Sequence, residues 1–522
     1  MNDRDCTRIL RTRLPHAWRP FFGSYGRLTL TQLAAIPYVL DGAQVVLMAP
    51  TASGKTEAIA APVSQLHRNE GWEELAVIYV VPTRALANDT LVRVGGPVSD
   101  MGFRIELKHG DRPYLPQALD WLITTPESLD SLLSRRPQML KSVRAIILDE
   151  IHLLDNTYRG DQLRILVTRL QALTATQLKI HLISATLADP DAVAARYVTS
   201  ATVVAIDGQR SASLQFAANH TDIKLLARTK GWKKLLYFCN KREGVELVAR
   251  DLAEIWQPYP VVAHHGSLSR QRREEAEQVL REARVAVGVA TSTLEVGIDI
   301  GDIDAVVLAD IPWSCSALLQ RIGRGNRRSG KIEVVGISTD IATQRVLSAM
   351  FDMVTGGYLD PSPYILDRSV VVQQIFSILF QQQGSGSDEH ELAALLHHLA
   401  LPSEVKAILN HLATRDWLEQ KSNKWFLSTT MLDKAERGEI HSNIPDSAMY
   451  QVIDVESNQQ VGSVAGVVDQ VFLLAGVIWE ILDVHYPVMR VRRYRGSADP
   501  AVFKRHPQAG RYTSFLPVHL RR

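Results

Sequence analysis

An apolar segment, AQVVLM at residues 43–48, runs into the loop APTASGKT at 49–56 and then into a sequence with helical periodicity. A strand, loop and helix in this order gather backbone N–H groups and a helix N-terminus around one point, which suits a polyphosphate. Lys55 would contact the β- and γ-phosphates, and the Thr56 hydroxyl would bind Mg²⁺. The other predicted contacts of this loop are Ala52, Ser53 and Gly54. A chance Gly-Lys-Thr turn is the alternative explanation.

Strand-like apolar segments continue along the chain in two series, with helical stretches between them. The first series, between residues 43 and 206, comprises AQVVLM, LAVIYVV, RIELKHG, WLITT, RAIILDE and LKIHLIS. The second series begins near residue 233 and comprises KLLYFC, PVVAHH, VAVGVA, DAVVLAD and KIEVVGIS. Buried strands that alternate with helices are typical of a parallel sheet covered on both faces. The sequence therefore predicts two successive α/β domains, with a boundary near residues 207–230.

The pattern changes after residue 360, beyond the Pro-rich segment LDPSPY. Residues 370–383 and 389–413 have helical periodicity, and a short hairpin follows, which together predict a winged helix. This module could brace the second α/β domain or contact a duplex. From about residue 446 the sequence is rich in strand-like segments, which predicts a small β domain.

Composition limits the class of protein. A chain of 522 residues is too long for one core and suggests three to four domains. The net charge of +2 gives no overall basic field, so nucleic-acid binding would need local patches. Three scattered cysteines fit a reducing compartment. With no apolar run of membrane length and no signal-like N-terminus, we expect a cytoplasmic protein without a membrane partner.

The strand RAIILDE ends in an acidic pair, Asp149 and Glu150. Ligands bind at the carboxyl ends of strands in open α/β sheets, so we expect both side chains beside the phosphate loop. Asp149 would hold Mg²⁺, and Glu150 would position or deprotonate the attacking water. Capping of the following helix is the alternative explanation for such a pair.

A second strand end, LISATL at residues 182–187, carries two hydroxyls, those of Ser184 and Thr186. These hydroxyls could bond His152 or Asp149 and so couple the site to the state of the nucleotide. His152 considered alone would more often be a packed histidine.

The second series of strands contains further candidates for the nucleotide site. Gly297 and Asp299 lie in ATSTLEVGIDIGD at residues 290–302. Gln320, Arg324 and Arg327 follow at i, i+4 and i+7, which predicts one face of a helix. An inserted arginine can contribute roughly 10³–10⁵ in the rate of phosphoryl transfer. A solvated basic helix is the alternative explanation.

These segments together resemble the motifs of superfamily 2 DExH-box helicases, over about residues 25–337. The matching segments are RLTLTQ, PTRALA, TTPESL, DEIH, SAT, YFCNKREG, HHGS, TSTLEVGID and QRIGRGNR. Within the superfamily the chain most resembles the Lhr (large helicase-related) branch, with a shortened C-terminal region. The resemblance implies two tandem RecA-like domains followed by a winged-helix domain and a small β-rich domain. The expected ranges are 1–24 for an N-terminal extension, 25–210 and 211–360 for the RecA-like domains, 361–440 for the winged helix and 441–522 for the β-rich domain.

The resemblance also implies an activity and its contacts. It implies an ATP-dependent helicase or translocase with Mg²⁺, moving 3′ to 5′ along a single strand of DNA, in which Gln32 reads the adenine. The residues that it places along the strand are Arg84, Thr125, Asn240, His265, Ser267 and Thr291. An RNA helicase, action on DNA–RNA hybrid, and an ATPase that remodels or loads partners without unwinding stay open as alternatives.

Overall fold

The computed structural model describes most of the chain. The described residues are 3–50, 53–206, 211–295, 300–325, 331–359, 364–444, 449–465, 471–474, 477–485, 487–494 and 510–521. The chain divides into two compact units. Unit 1 comprises Met1–Asp207, Pro361–Pro445 and Gln508–Arg522, and unit 2 comprises Gly208–Asp360 and Asp446–Pro507. Each unit therefore combines one α/β domain with segments from the C-terminal third of the chain.

The α/β domain of unit 1 is built on a parallel sheet of seven strands, in the order β3-β4-β2-β5-β6-β1-β7. The strands are β1 (Val45–Met48), β2 (Val77–Val80), β3 (Ile105–Lys108), β4 (Trp121–Thr124), β5 (Ala145–Leu148), β6 (Lys179–Ser184) and β7 (Thr202–Ala205). The helices are α1 (Asp3–Arg13), α2 (Trp18–Phe22), α3 (Leu30–Leu40), α4 (Lys55–Glu70), α5 (Arg84–Asp100), α6 (Pro126–Arg135), α7 (Tyr158–Leu173) and α8 (Pro190–Tyr197). Every residue of β2, β4 and β5 is buried, which explains their continuous apolar sequences. The parallel sheet predicted from the sequence is confirmed, and β7 is an additional strand.

The N-terminal segment packs into this same domain. Leu14 and Phe22 are buried, and the Gln65 side chain accepts hydrogen bonds from the backbone N–H groups of His16 and Ala17. Residues 3–24 are therefore part of the packing of the first domain.

The α/β domain of unit 2 has a parallel sheet of six strands, in the order β10-β11-β9-β12-β13-β8. Its strands are β8 (Ser211–Ala217), β9 (Lys234–Phe238), β10 (Val261–His264), β11 (Ala286–Ala290), β12 (Ala305–Leu308) and β13 (Lys331–Ile337). Its helices are α9 (His220–Lys230), α10 (Arg242–Ile255), α11 (Arg270–Glu282), α12 (Cys315–Ile322) and α13 (Ile341–Thr355). Strand β8 lies in the region where the sequence predicted only a boundary.

The C-terminal part of unit 1 is a helical module with a hairpin. It comprises α14 (Ser369–Gln381), α15 (Glu389–Leu396), α16 (Pro402–Ala413), the hairpin β14 (Leu418–Lys421) and β15 (Lys424–Leu427), and α17 (Thr429–Glu436). The helical region predicted over 389–413 consists of two helices, because Pro402 starts a new one. Twelve of the thirteen residues of α14 are buried, and the helix packs against α6 and α7.

The module packs with the first α/β domain in unit 1. The chain end also returns to it: Tyr512 and Phe515 make ring contacts with Phe376 of α14. Residues 510–521 therefore pack in unit 1 and do not join the small β domain.

The small β domain lies in unit 2 as a mixed five-stranded sheet, in the order β17-β16-β20-β19-β18. Its strands are β16 (Met449–Asp454), β17 (Gln459–Ala465), β18 (Val471–Leu474), β19 (Val477–His485) and β20 (Val488–Arg493). Strands β16 and β20 are parallel, and the other pairs are antiparallel. None of the described helices in either unit has both the length and the apolar character to cross a membrane.

Candidate nucleotide and nucleic-acid sites

The loop after β1 has the backbone geometry of a phosphate site. Gly54 is the N-cap of α4 with φ of 83°, in the left-handed region, and a Cβ there would lie 2.3 Å from Nε2 of Gln32. Only glycine meets both constraints. Lys55 is buried and its Nζ donates to the carbonyl oxygens of Ala49 at 2.9 Å and Pro50 at 3.4 Å. The lysine ammonium group is thus held at the mouth of the loop.

Gln32, the predicted reader of adenine, is attached to this loop. Its Oε1 accepts from the backbone N–H of Thr29 at 3.0 Å, and its Nε2 lies 3.4 Å from the carbonyl oxygen of Gly54. The hydroxyl of Thr29 donates to the carbonyl oxygen of Ser53 at 2.8 Å. A cavity of about 1200 Å³ opens here, and its lining includes Tyr25. This volume has room for a base and a ribose.

The acidic pair lies where predicted, directly after β5. The hydroxyl of Tyr79 donates to Oδ2 of Asp149 at 2.7 Å, and the backbone N–H of Glu150 donates to Oδ1 of Asp149 at 2.8 Å. Glu150 has φ of 45°, a left-handed conformation that is costly for a residue with a side chain. Burial above all, and next the charge of Glu150, raise the pKa of Asp149 to about 6, although Tyr79, Arg93 and Lys55 oppose the shift. Two carboxyl groups crowded in a buried site would favour the binding of a cation.

Two members of this site have no motif in the sequence. Arg93 of α5 donates from Nη2 to the Thr56 hydroxyl at 2.9 Å, and its Nε lies 3.2 Å from Oδ2 of Asp89. The other member is Tyr79. Its hydroxyl, within the otherwise apolar strand VIYV, is the one feature of the sequence that could have indicated this residue. The hydroxyl of Thr56 and the carboxylate of Asp149 are oxygen donors of the kind that Mg²⁺ prefers, so the donor set fits this ion.

The predicted coupling residues lie together. His152 Nδ1 is 2.9 Å from the Ser184 hydroxyl and 3.5 Å from Oε2 of Glu150. Thr186 contributes backbone groups: its N–H donates to the Ser184 hydroxyl at 3.2 Å, and its carbonyl oxygen accepts from that hydroxyl at 2.9 Å. A continuous polar connection therefore runs from Glu150 to the end of β6.

A groove of about 900 Å³ in unit 1 contains the two strand contacts predicted in the first domain, Arg84 and Thr125. Arg84 is ion-paired with Asp111 at 2.6 Å and its side chain is 59% exposed, whereas Thr125 is buried. The groove continues past Lys108 and Arg136 to the turn after α17. Burial is the main cause that lowers the pKa of Lys108, and the charges of Arg136 and Arg135 add to the shift. These three cationic side chains line the groove and suit an anionic polymer.

The arginine helix of unit 2 differs from the prediction. Helix α12 ends at Ile322, so Gln320 and Arg324 are not on one continuous helical face. Arg324 is buried in the turn beyond and donates from Nη2 to the backbone oxygen of Glu295. Sequence reasoning missed Arg321, which is 2% exposed, ion-paired with Glu295 at 2.7 Å and bonded to Asn240 at 3.0 Å.

The remaining predicted strand contacts gather at the carboxyl ends of β9, β10 and β11. Asn240 also donates from Nδ2 to the carbonyl oxygen of Ile311 at 2.7 Å. The backbone N–H of Thr291 donates to the carbonyl oxygen of His264 at 3.2 Å. His265 is 1% exposed, and its ring lies 2.6 Å from Glu246, so in this structure it supports the loop that carries Ser267.

Four of the predicted residues lie outside the part of the chain that the structure describes: Ala52, Gly297, Asp299 and Arg327. Their roles therefore stay predictions from the sequence.

Comparison with known families agrees with the fold. Residues 29–193 match the DEAD/DEAH box helicase family, and residues 219–329 match the helicase conserved C-terminal domain. The chain therefore carries a DEAD/DEAH box helicase domain and a helicase C-terminal domain.

The proteins to which the chain is similar include Lhr helicases. The ATP-dependent helicase Lhr-Core of Saccharolobus solfataricus is 33% identical over 387 residues, covering 65% of this chain and 44% of that protein. Lhr-Core protein 2 of Thermococcus barophilus is 32% identical over 359 residues, covering 59% and 41%. The chain thus spans about two fifths of the length of these relatives.

Solved structures share the architecture. Mycobacterium smegmatis helicase Lhr, bound to ssDNA and AMP-PNP, has a TM-score of 0.69 at 24% identity, covering 83% of this chain and 62% of that one. The DUF1998 helicase MrfA, bound to DNA, has a TM-score of 0.73 at 19% identity, covering 93% and 73%. At these identities the likeness defines a common fold.

Proposed function

We propose that this chain is an ATP-dependent helicase or translocase that acts on nucleic acid. The observation that carries the proposal is the convergence of Lys55, Thr56, Asp149 and Glu150 at the carboxyl ends of β1 and β5 in unit 1. A phosphate loop, a carboxylate suited to Mg²⁺ and a second acid beside it are the parts that nucleoside-triphosphate hydrolysis requires.

Each residue has a distinct task in this proposal. Lys55 leaves the carbonyl oxygens of its own loop to bind the β- and γ-phosphates. Thr56 and Asp149 hold Mg²⁺, which, when bound, neutralises charge on the phosphates. Glu150 accepts a proton from the attacking water at a carboxylate oxygen. Gln320, Arg324 and Arg327 keep their proposed role of stabilising the phosphoryl group in transfer.

The contact between His152 and Ser184 would couple this chemistry to movement. His152 lies within reach of Glu150 and of the end of β6, so a change at the acid alters the hydrogen bonding of that strand end. We propose that this connection transmits the state of the nucleotide to the rest of unit 1.

The nucleic acid in this proposal is a single strand of DNA, tracked 3′ to 5′. Support comes from the family resemblance and from two similar proteins, Lhr and MrfA, whose structures contain ssDNA and DNA. The positively charged groove of unit 1 supplies contacts to phosphates without reading bases. In unit 2 the proposed contacts are Asn240, Ser267 and Thr291.

We predict that Arg136→Ala weakens binding of single-stranded DNA about threefold to tenfold and reduces the salt slope of log K by about 0.7, since one phosphate contact is lost. Binding measured by fluorescence anisotropy at several salt concentrations checks this. Lys141→Ala is the matched control, because Lys141 is also an exposed cation of this region but is not among the residues that line the groove. An equal loss in both variants would contradict a specific role for the groove.

Two alternative functions remain to be distinguished by experiment. An RNA helicase has support from a DEAD-box ATP-dependent RNA helicase of Oryza sativa subsp. japonica, 27% identical over 328 residues. The other alternative is an ATPase that remodels or loads partners without unwinding. Two assays separate the three functions. The first measures ATP turnover with ssDNA, dsDNA, RNA and DNA–RNA hybrid. The second measures strand displacement from duplexes with 3′ or 5′ overhangs. Lys55→Ala is the inactive control, and turnover that no nucleic acid stimulates would refute the proposal.

A further inference from the structure

The loop of residues 265–269, between β10 and α11, is paired to the small sheet of unit 2. The backbone N–H of Ser463 donates to the carbonyl oxygen of Ser267 at 2.7 Å, and that of Ser269 donates to Val461 at 3.1 Å. Leu268 and Gly462 form an antiparallel bridge. The loop thus adds a short pairing segment to the edge strand β17.

The side chain of Leu268 reinforces this pairing. It is 5% exposed and belongs to the core of the small sheet, together with Val452, Val461, Phe472 and Trp479. The core of the small sheet is therefore completed by a residue from the α/β domain. Displacing the loop would remove an apolar side chain from that core, which is unfavourable.

Gly462 permits the close approach. A Cβ at this position would lie 2.5 Å from the carbonyl oxygen of Ser267 and 3.3 Å from the Cα of Leu268. The nearest obstacle is the backbone of the loop, so a larger residue must push the loop and the strand apart. Glycine is needed at position 462 because the backbone of the loop is so close to its Cα.

The opposite side of the loop is held by the α/β domain itself. Glu246 contacts the ring of His265 at 2.6 Å, and Nδ1 of that ring accepts from the backbone N–H of Ser267 at 3.2 Å. The hydroxyl of Ser267 accepts from Nη1 of Arg242 at 2.6 Å. Ser267 is therefore fixed between His265 and β17, with an arginine at its hydroxyl.

We propose that Gly462 and Leu268 are positioning residues, through which the small sheet holds Ser267 and Arg242 in the geometry that binds a phosphate of the substrate strand. This inference rests on the proposed function and assigns the small sheet a task in it. A hydroxyl group beside a guanidinium group can donate hydrogen bonds, together with it, to a phosphodiester oxygen. Because the small sheet already holds the loop in place, binding of the nucleic-acid strand does not have to order the loop.

The test uses the full chain with Gly462→Ala. The concentration of single-stranded oligonucleotide that half-maximally stimulates ATP turnover should rise about tenfold, as expected for one misplaced charge-assisted contact. The maximal rate and the KM for ATP should stay within about twofold, because neither residue belongs to the nucleotide site. Gly266→Ala is the control: it adds the same methyl group to the same loop where no atom lies within 4 Å.

Leu268 provides a second, independent comparison. Leu268→Met keeps an apolar side chain in the core and should leave the half-stimulating concentration near that of the parent chain. Leu268→Gln buries an amide there and should raise it as Gly462→Ala does. A parent-like value for Gly462→Ala, or an equal rise for Gly266→Ala, would overturn the inference. If the parent chain itself shows no stimulation, the proposed function fails instead, so the two failures are distinguishable.

Discussion

Replacing Glu150 by glutamine is expected to lower nucleic-acid-stimulated ATP turnover by about 10²–10⁴-fold, the usual contribution of a general base. Glutamine keeps the shape of the side chain but cannot accept the proton of the attacking water. The backbone position of residue 150, fixed by its N–H bond to Asp149, should persist. The affinity for ATP with Mg²⁺ should therefore stay within about threefold of that of the parent chain. The substitution lowers the rate of turnover and leaves the nucleotide affinity nearly unchanged.

Turnover and nucleotide binding measured on the same preparations check this expectation. Glu106→Gln is the matched control, because Glu106 is an exposed glutamate of β3 and should leave both quantities unchanged. Lys55→Ala should instead weaken nucleotide binding, since Lys55 is the proposed phosphate ligand of the loop. Parent-like turnover in Glu150→Gln would show that another group accepts the proton.

The second large effect concerns stability: Asp130→Ala is expected to reduce the free energy of unfolding of unit 1 by about 3–5 kcal/mol, because it leaves a buried charge unpaired. Oδ1 of Asp130 lies 2.8 Å from Nη1 of Arg169 and accepts from the Ser377 hydroxyl at 2.7 Å. Oδ2 is 3.1 Å from the ring of His441. These contacts join α6 and α7 to the C-terminal module of the same unit. Removing the carboxylate therefore weakens the attachment of that module.

Urea unfolding monitored by circular dichroism measures the loss, and a double-mutant cycle tests its cause. Arg169→Met combined with Asp130→Ala should cost less than the sum of the single changes, with a coupling of about 1–3 kcal/mol. Simple additivity would contradict the ion pair.

Burial alone would raise the pKa of Asp130, but His441, Arg169 and Ser377 outweigh it and lower the pKa. The stabilisation is accordingly complete above the unfolded value of 3.8 and is lost as the pH falls through the lower folded value.

Much of unit 1 follows from local sequence. The strands β1, β2, β4, β5 and β6 coincide with the strand-like segments predicted from the sequence, and the residues that follow β1 and β5 form the candidate nucleotide site by the geometry of parallel sheets alone. The connection between His152 and Ser184 was predicted for the same reason. Arg93 could not be predicted in this way, because its contact with Thr56 depends on how α5 packs beside the loop.

The arginines of unit 2 show where periodicity fails. The spacing of Gln320 and Arg324 fits a helix, but α12 ends at Ile322, and Arg324 turns inward to the backbone of Glu295. Arg321, one residue from the predicted face, makes the buried ion pair with Glu295. A helix-face argument assumes that the helix continues, and tertiary contacts decided where this one ends.

By itself, the sequence determined the two parallel sheets, the phosphate loop and the acidic pair, because these depend on short segments whose residues are close together in the chain. Only the tertiary structure decided which α/β domain receives each C-terminal segment. The module with α14 packs on the first domain through the bonds of Ser377 with Asp130 and Arg169, and the small sheet receives Leu268 of the second. Such pairings join residues up to hundreds of positions apart, and their free energy comes from complementary shape and burial, which no local pattern encodes.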